Sequence, residues 1–431
     1  MLKSSGHKLI VGYDLGWEYA QISYYSAGCE KTESIYDIMG SDSFSVPAVL
    51  CKRVGVNQWF YGKEALKHAD DQDGILVEHL LQLALDGEPV RIEETEYDPV
   101  ALLTLFFKRS LGVLPVNSGS SEKIEAMMIT CEQMDEKMTE ILDKVAANMR
   151  VGTDRIFYQS YQESYFYYML IKNSDLMREP SMLFAYQGSR MISFQMECNK
   201  KTKPQVIFIH RQDDEFPSRA SLSGKQNEGN RVLDQNFLLL TKEKLEKCDT
   251  VSGHCVSVYL IGDDFSEEWL KDSLKYLCER RRIFMGNNLF SKGACCGMLE
   301  RTATDKSKAE FVFLGEDKLC SNIGMRILKE GEETYLALLD AGIEWRKAKT
   351  TLEFYLREEK QVELTITSLS GGGKREIPIE LEGFTADIAR IRMVLWMKNK
   401  DILCAEFEDL GFGEFRPAES RKWKQEIDLN W

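Results

Sequence analysis

The chain begins its first strand with Leu9-Ile-Val-Gly-Tyr-Asp-Leu-Gly-Trp-Glu-Tyr-Ala-Gln-Ile-Ser-Tyr-Tyr25. An apolar run, a glycine at a tight turn and a second alternating run predict a β-hairpin. The same opening returns in the middle of the chain. Met182–Tyr186, a turn at Gln187-Gly188-Ser189 and Met191–Glu197 predict a second hairpin. Two hairpins, each starting an alternation of strands and helices, point to an internal duplication.

Elements follow each hairpin in the same spirit. After the first come strands at Ser34–Met39 and Val46–Lys52, then helical patterns at Lys63–Ala69, Ile75–Leu85 and Pro99–Arg109. Ile124–Thr130 is a buried-type strand, Met134–Met149 an amphipathic helix, Ile156–Tyr158 a short strand and Glu163–Ile171 an aromatic helix. After the second hairpin come a strand at Gln205–His210, a polar loop at Arg211–Arg231 and a helix at Asp234–Cys248. A strand at Val256–Ile261, a helix at Phe265–Glu279, a strand at Ile283–Phe284 and a helix at Ser291–Leu299 complete the pattern. The last third changes character. Tyr335–Leu339, Leu352–Arg357, Val362–Ser368, Glu376–Leu381, Ile391–Met397 and Ile402–Glu408 are short strands. Turns such as Ser370–Gly373 and Asn399-Lys400-Asp401 separate them, which predicts an all-β domain.

Composition narrows the function. With 55 Lys and Arg against 69 Asp and Glu, the net charge is −14. An acidic chain without a basic block does not suit nucleic acid, because phosphate neutralisation needs clustered cations. No apolar run is long enough for a bilayer, and Met1–Lys8 has no apolar signal region. Eleven cysteines lie scattered without a Cys-x-x-Cys pair. That pattern predicts reduced thiols in a cytoplasm and neither a structural zinc site nor any other metal centre.

Ordered motifs along the chain resemble the DnaK-type chaperones, in a divergent bacterial form, and through them the actin, sugar-kinase and chaperone ATPase superfamily. Asp14-Leu15-Gly16 resembles the first phosphate turn. Val46-Pro47-Ala48 resembles the Val-Pro-Ser strand, and Gly62–Ala65 the Gly-x-x-Ala helix start. Gln162-Glu163-Ser164 and Lys292–Gly297 resemble the openings of the two helices that connect the lobes. Phe311–Leu314 resembles the apolar interdomain linker, and Ser321–Gly324 the start of the substrate-binding β-sandwich. Glu380–Phe384 and Asn399–Leu403 resemble turns of that sandwich. The resemblance implies an α/β plus all-β protein: a two-lobed actin-like ATPase fold over 1–305, with lobes of about 1–175 and 176–305 and a reduced second lobe. A linker over 306–320 and a β-sandwich over 321–431 would follow.

The resemblance also marks departures. Were nucleotide to bind, it would meet Asp14, Gly16, Gly188 and Gly262. Yet Trp17 and Glu18 stand where the family has small hydroxyl residues. The second turn, Ala185–Arg190, has lost its aspartate and most of its glycines. The family's catalytic lysine falls at about Glu78, and its adenosine motif has become Gly262-Asp263-Asp264-Phe265. The subdomain that grips adenine is missing. Asp14 by itself reads as a turn aspartate serving local hydrogen bonds. Gly262–Asp264 reads as a strand end before an acidic helix start. The aromatic run Tyr158, Tyr161, Tyr165, Phe166, Tyr167, Tyr168 reads as core, and Cys295-Cys296 as close packing.

The sequence therefore predicts a catalytically degenerate DnaK-like protein with no catalytic residue and no cofactor. It would act as a protein- or peptide-binding or scaffolding module through loops near Leu338–Gly342 and Tyr355–Glu359. The alternatives are an ATP- and Mg-dependent chaperone-type ATPase with altered phosphate loops, and a structural pseudo-ATPase that assembles by edge contacts.

Overall fold

A computed structural model describes residues 9–26, 32–35, 44–114, 124–149, 151–219, 226–303, 310–315, 317–357, 361–369, 373–382, 388–412, 414, 416–418 and 422–430. The chain divides into two compact units. One comprises 1–197 and 209–307, the other 198–208 and 308–431.

The first unit is mixed α/β, and its two sheets repeat one strand order. In space the first sheet runs Ile156–Ser160, Ile124–Cys131, Leu9–Leu15, Tyr19–Ser26, Glu33–Ser34, with Val46–Pro47 also on Tyr19–Ser26. The second runs Arg282–Gly286, Ser257–Ile261, Ser181–Gln187, Arg190–Asn199, Gln205–Glu215, of which residues 198–208 belong to the other unit. In each, an antiparallel hairpin lies centrally and two parallel strands extend from its first arm. This is the duplication the two hairpins predict. Leu9–Leu15 is buried at every position and apolar but for Asp14 near its end, as a strand covered on both faces requires.

Two helices link the duplicated halves, Tyr161–Lys172 and Leu289–Thr302. Ser160 caps the first in a capping box with Glu163. The second lies across the first sheet, where Ala294, Cys295 and Met298 share a core with Ile10, Ala126 and Met128. Glycines allow the approach. A β-carbon on Gly12 would sit 2.1 Å from the Ser291 carbonyl oxygen, and one on Gly293 2.0 Å from that of Ser164. Cys295 and Cys296 are buried free thiols within this crossing, which fits the close-packing role. Tyr161, Tyr165 and Phe166 are buried, so half of the aromatic run is core. Tyr165 stacks edge-on to Tyr259 and pairs with Ser181 at 2.7 Å.

Several boundaries differ from the sequence reading. Val46–Lys52 is two strands, Val46–Pro47 and Leu50–Arg53, interrupted after Pro47, which lacks a ladder donor. Ile75–Leu85 is not one helix. Gly74–Val77 is a strand paired with Leu50–Arg53, His79 turns left-handed at φ 54°, and the helix is Leu80–Asp86. Sheet pairing outweighs a helical period over so short a run. The polar stretch after His210 is no loop at its ends. The strand continues to Glu215, and a 26-residue helix, Gln226–Val251, starts well before Asp234. Phe265–Glu279 is helical only over Asp272–Cys278. Of Ser34–Met39, residues 36–39 lie outside the described residues; the strand there is Glu33–Ser34.

Among its described residues the second unit is all-β apart from one short turn of helix at Trp345–Lys347. One antiparallel four-stranded sheet runs Glu332–Leu339, Ser321–Lys329, Gln361–Ser368, Gly373–Glu380. The other runs Lys349–Arg357, Ile388–Met397, Ile402–Asp409, Lys422–Asp428. Ile388–Met397 shows the governing pattern, with Ala389, Ile391, Met393, Leu395 and Met397 buried in strict alternation. Both sheets supply one core, from Ile323, Leu364 and Ile366 to Leu395, Leu403 and Phe407. Phe311–Phe313, which resembled a linker, forms a strand parallel to Gln205–Ile207 within this unit. The predicted turn at Asn399-Lys400-Asp401 is present, and the Asn399 side chain accepts the Asp401 and Ile402 amides. Ser370–Gly372 and Gly383-Phe384 lie outside the described residues.

Candidate functional site

The duplicated hairpins carry Asp14, Gly16 and Gly188 in the first unit, and Gly262 follows the strand Ser257–Ile261 of the same unit. Asp14 lies at the end of the first strand, opposite Gln21. Its side chain is buried, and Oδ1 accepts the Tyr161 hydroxyl at 2.7 Å. The sequence reading of Asp14 as a turn aspartate serving local hydrogen bonds is thus corrected: its partner stands 147 residues on, at the head of the first connecting helix. Burial pushes the Asp14 carboxyl up to about 7; the Tyr161 bond opposes this and the nearby Glu132 charge adds to it. Tyr161 is itself fixed, stacked on Phe290 at 3.9 Å between centroids.

Gly16 makes the turn. Its amide donates to the Tyr19 carbonyl at 2.9 Å, and a β-carbon would sit 2.8 Å from that oxygen and 3.7 Å from the Tyr161 hydroxyl. The space just outside the turn is taken by Trp17, whose indole N–H donates to Glu132 Oε2 at 3.1 Å. Glu132 immediately follows the strand Ile124–Cys131 and is only 6% exposed.

The second hairpin and the strand after it supply the cations. Arg190, at the far side of the Gly188-Ser189 turn, donates to both carboxylate oxygens of Glu132, at 3.2 and 2.9 Å. Arg211, from Gln205–Glu215, donates to Glu132 Oε1 at 2.6 Å and to the Glu132 carbonyl at 3.3 Å. Asp213 holds Arg211 from the other side, at 2.8 and 2.6 Å. The Arg211 guanidinium holds the Asp213 carboxyl below its usual range.

Gly188, at φ 58°, faces open space, with nothing within 4 Å of a β-carbon. Gly262, at φ 127°, packs on the second hairpin, where a β-carbon would sit 2.6 Å from the Tyr186 carbonyl oxygen. The residues after it do not start a helix, because the next helix begins at Asp272. Asp263 accepts from Asn287 Nδ2 at 2.5 Å. Burial raises the Asp264 carboxyl, Arg219 opposes this, and Asp263 and Glu18 add to it. Tyr19 is raised by burial and by the same Glu18, Asp264 and Asp263 charges. Negative charge from both halves therefore converges beside the first turn. Glu78 is exposed between a strand and a helix.

The structure brings Asp14 and Gly16 together through Tyr161, and ties Gly262 to the second hairpin beside Gly188. Glu132 and Arg211 were not singled out in the sequence, since Glu132 follows an ordinary strand and Arg211 lay in an apparent loop. Charged side chains alternating in Arg211–Asp213 were the available sign of a strand there. Among the described residues, no group of three or more His, Cys, Asp or Glu is placed to hold a metal ion, and no helix is long and apolar enough to cross a membrane.

Comparison with known proteins places this arrangement in a family. Residues 31–316 match the C-terminal model of a family of unknown function (DUF5716), and the chain belongs to that family. Residues 318–429 match a domain of unknown function (DUF8552). No curated protein matches the chain. Among solved structures, a non-polymerising MamK mutant bound to AMPPNP aligns at 11% identity with a TM-score of 0.40, covering 68% of this chain and 99% of that one.

Proposed function

We propose that this family member is a nucleotide-independent binding or scaffolding protein, built on a degenerate actin-like, DnaK-type frame. The repeated strand order and the two connecting helices support the frame. The filling of the first turn carries the functional reading. Trp17 and the Glu132 carboxylate sit beside Asp14-Leu15-Gly16, and Arg190 and Arg211 are already spent on Glu132. A nucleotide triphosphate needs free amides and cations where charge concentrates. Here it would meet Glu132, Glu18, Asp263 and Asp264 instead. A phosphate-bound metal needs an ionised carboxylate, whereas Asp14 is buried against Tyr161 with its carboxyl raised. These residues do not fit Mg-ATP, and no hydrolytic step is assigned to them.

The two four-stranded sheets around one core support a β-sandwich in the second unit, and we assign it the partner surface. Extended peptide recognition needs exposed strands or loops with side-chain pockets. Tyr355 is 66% exposed and stacks on Phe412 at 6.0 Å, beside the predicted loop, of which residues 358–360 lie outside the described residues. The partner is a protein or peptide.

The test is calorimetry and thermal unfolding of the full chain with millimolar Mg-ATP, because a ligand of the native state raises the melting temperature. No heat and no shift are expected. A shift of several degrees that Trp17→Ala enlarges would overturn the reading in favour of an ATP-binding protein. A parallel screen against arrayed extended peptides should return binders; a wholly negative array removes the peptide-binding part.

A further inference from the structure

We infer that Glu132 is an internal anionic ligand that fastens the two halves of the first unit together. Its surroundings are those of a bound anion and not of a surface ion pair. Five donor contacts converge on one buried residue: the Trp17 indole at 3.1 Å, Arg190 at 3.2 and 2.9 Å, and Arg211 at 2.6 Å to the side chain and 3.3 Å to the carbonyl. The donors come from both halves. Trp17 and Glu132 belong to the first sheet's turn and strand end, whereas Arg190 and Arg211 belong to the second hairpin and the strand after it. The Arg211 side chain is only 9% exposed and is fixed by Asp213, so its donors are preset in direction. A carboxylate held by a bidentate guanidinium and a second guanidinium is the geometry of anion recognition. The chain carries both the site and its occupant.

Closure of the halves is then an intramolecular binding equilibrium. Breaking a buried pair by removing one partner is costly, because the remaining charges stay buried without compensation. Local opening follows at the two turns the contact joins. The inference rests on the reading that the chain's own side chains fill this cleft. Failure of that reading shows as a wild-type response to Mg-ATP; failure of the fastening shows only in the variants below.

Hydrogen exchange of the full chain, wild type against Glu132→Ala, tests it. Amides of the 16–19 and 187–191 turns should exchange roughly a hundredfold faster in the variant. Sodium acetate, supplying the missing carboxylate, should slow them again relative to equal sodium chloride, and should leave the wild type unchanged. Arg190→Ala gives the second reading, since that side chain is 39% exposed and its loss spares the core. It should loosen the same two turns to a smaller degree. Should Glu132→Ala not fold, Arg190→Ala decides alone. Unchanged exchange at both turns in the variants, or an acetate effect equal in wild type, overturns the inference.

Discussion

Asp14 shows how burial decides what an aspartate can do. An aspartate at the end of a hairpin's first strand is available for metal or phosphate work only if it is ionised and open. Here its carboxyl is closed over by the Tyr161 hydroxyl, and burial raises it from 3.8 to about 7. The sign of the consequence follows. A carboxyl raised in the folded state costs nothing below its unfolded pKa, and destabilises increasingly as pH climbs from about 4 to about 7. The full penalty is at most about 4 kcal/mol. Asp14→Asn keeps an acceptor for Tyr161 and cannot ionise. It should match the wild type near pH 4 and exceed its unfolding free energy by up to that amount near pH 8, by urea titration at both values. A variant that loses stability at both values would mean the carboxylate charge is needed. Glu132, at the end of the neighbouring strand, is met by two guanidinium groups.

At the scale of the element, the crossing of Tyr161–Lys172 with Leu289–Thr302 depends on what its glycines lack. At Gly293 a β-carbon would fall 2.0 Å from the Ser164 carbonyl oxygen, and backbone cannot give way as a flexible side chain can. Gly293→Ala would gain helix propensity on an isolated helix. In this crossing the clash dominates, and a net loss of about 1–3 kcal/mol is expected. Chemical denaturation of the variant checks it, and a stabilised variant would mean the helices have room. The sequence signalled this crossing well, since Gly293-Ala-Cys-Cys-Gly297 is a run of small residues. It signalled Gly74–Val77 poorly. Ile75, Leu76 and Val77 suit either period, and only the partner strand Leu50–Arg53 decides between them. The same holds for Phe265–Leu270. Its apolar residues look helical but serve an aromatic cluster, where Phe265 and Trp269 stack at 5.8 Å and the Trp269 indole reaches the Asp264 carbonyl.

Over the whole molecule the charge of −14 acts as a diffuse self-repulsion, which compactness worsens. Raising ionic strength from ~10 mM to ~150 mM shortens the Debye length from about 30 to about 8 Å. The melting temperature should therefore rise with sodium chloride at neutral pH. A fall would mean that exposed pairs such as Arg392–Glu353 outweigh the net charge, although such pairs are individually weak. The buried Glu132 contacts are screened far less and should be nearly indifferent to salt.

The sequence by itself determined what is periodic and local. The two hairpins, the capped helices and the alternating strands of the last third follow from side-chain period, turn residues and caps, and these operate over a few neighbours. It also marked Trp17 and Glu18 as departures from the phosphate turn that Asp14-Leu15-Gly16 resembles. Only the tertiary structure decided what Trp17 does. Trp17 meets Glu132, Glu132 meets Arg190 and Arg211, and Asp14 meets Tyr161, across separations of 115, 58, 79 and 147 residues. Charge and hydrogen bonding have no period along the chain. Their meaning depends on which donors the folded sheets bring to a buried acceptor, and that is fixed by sheet pairing and helix packing alone.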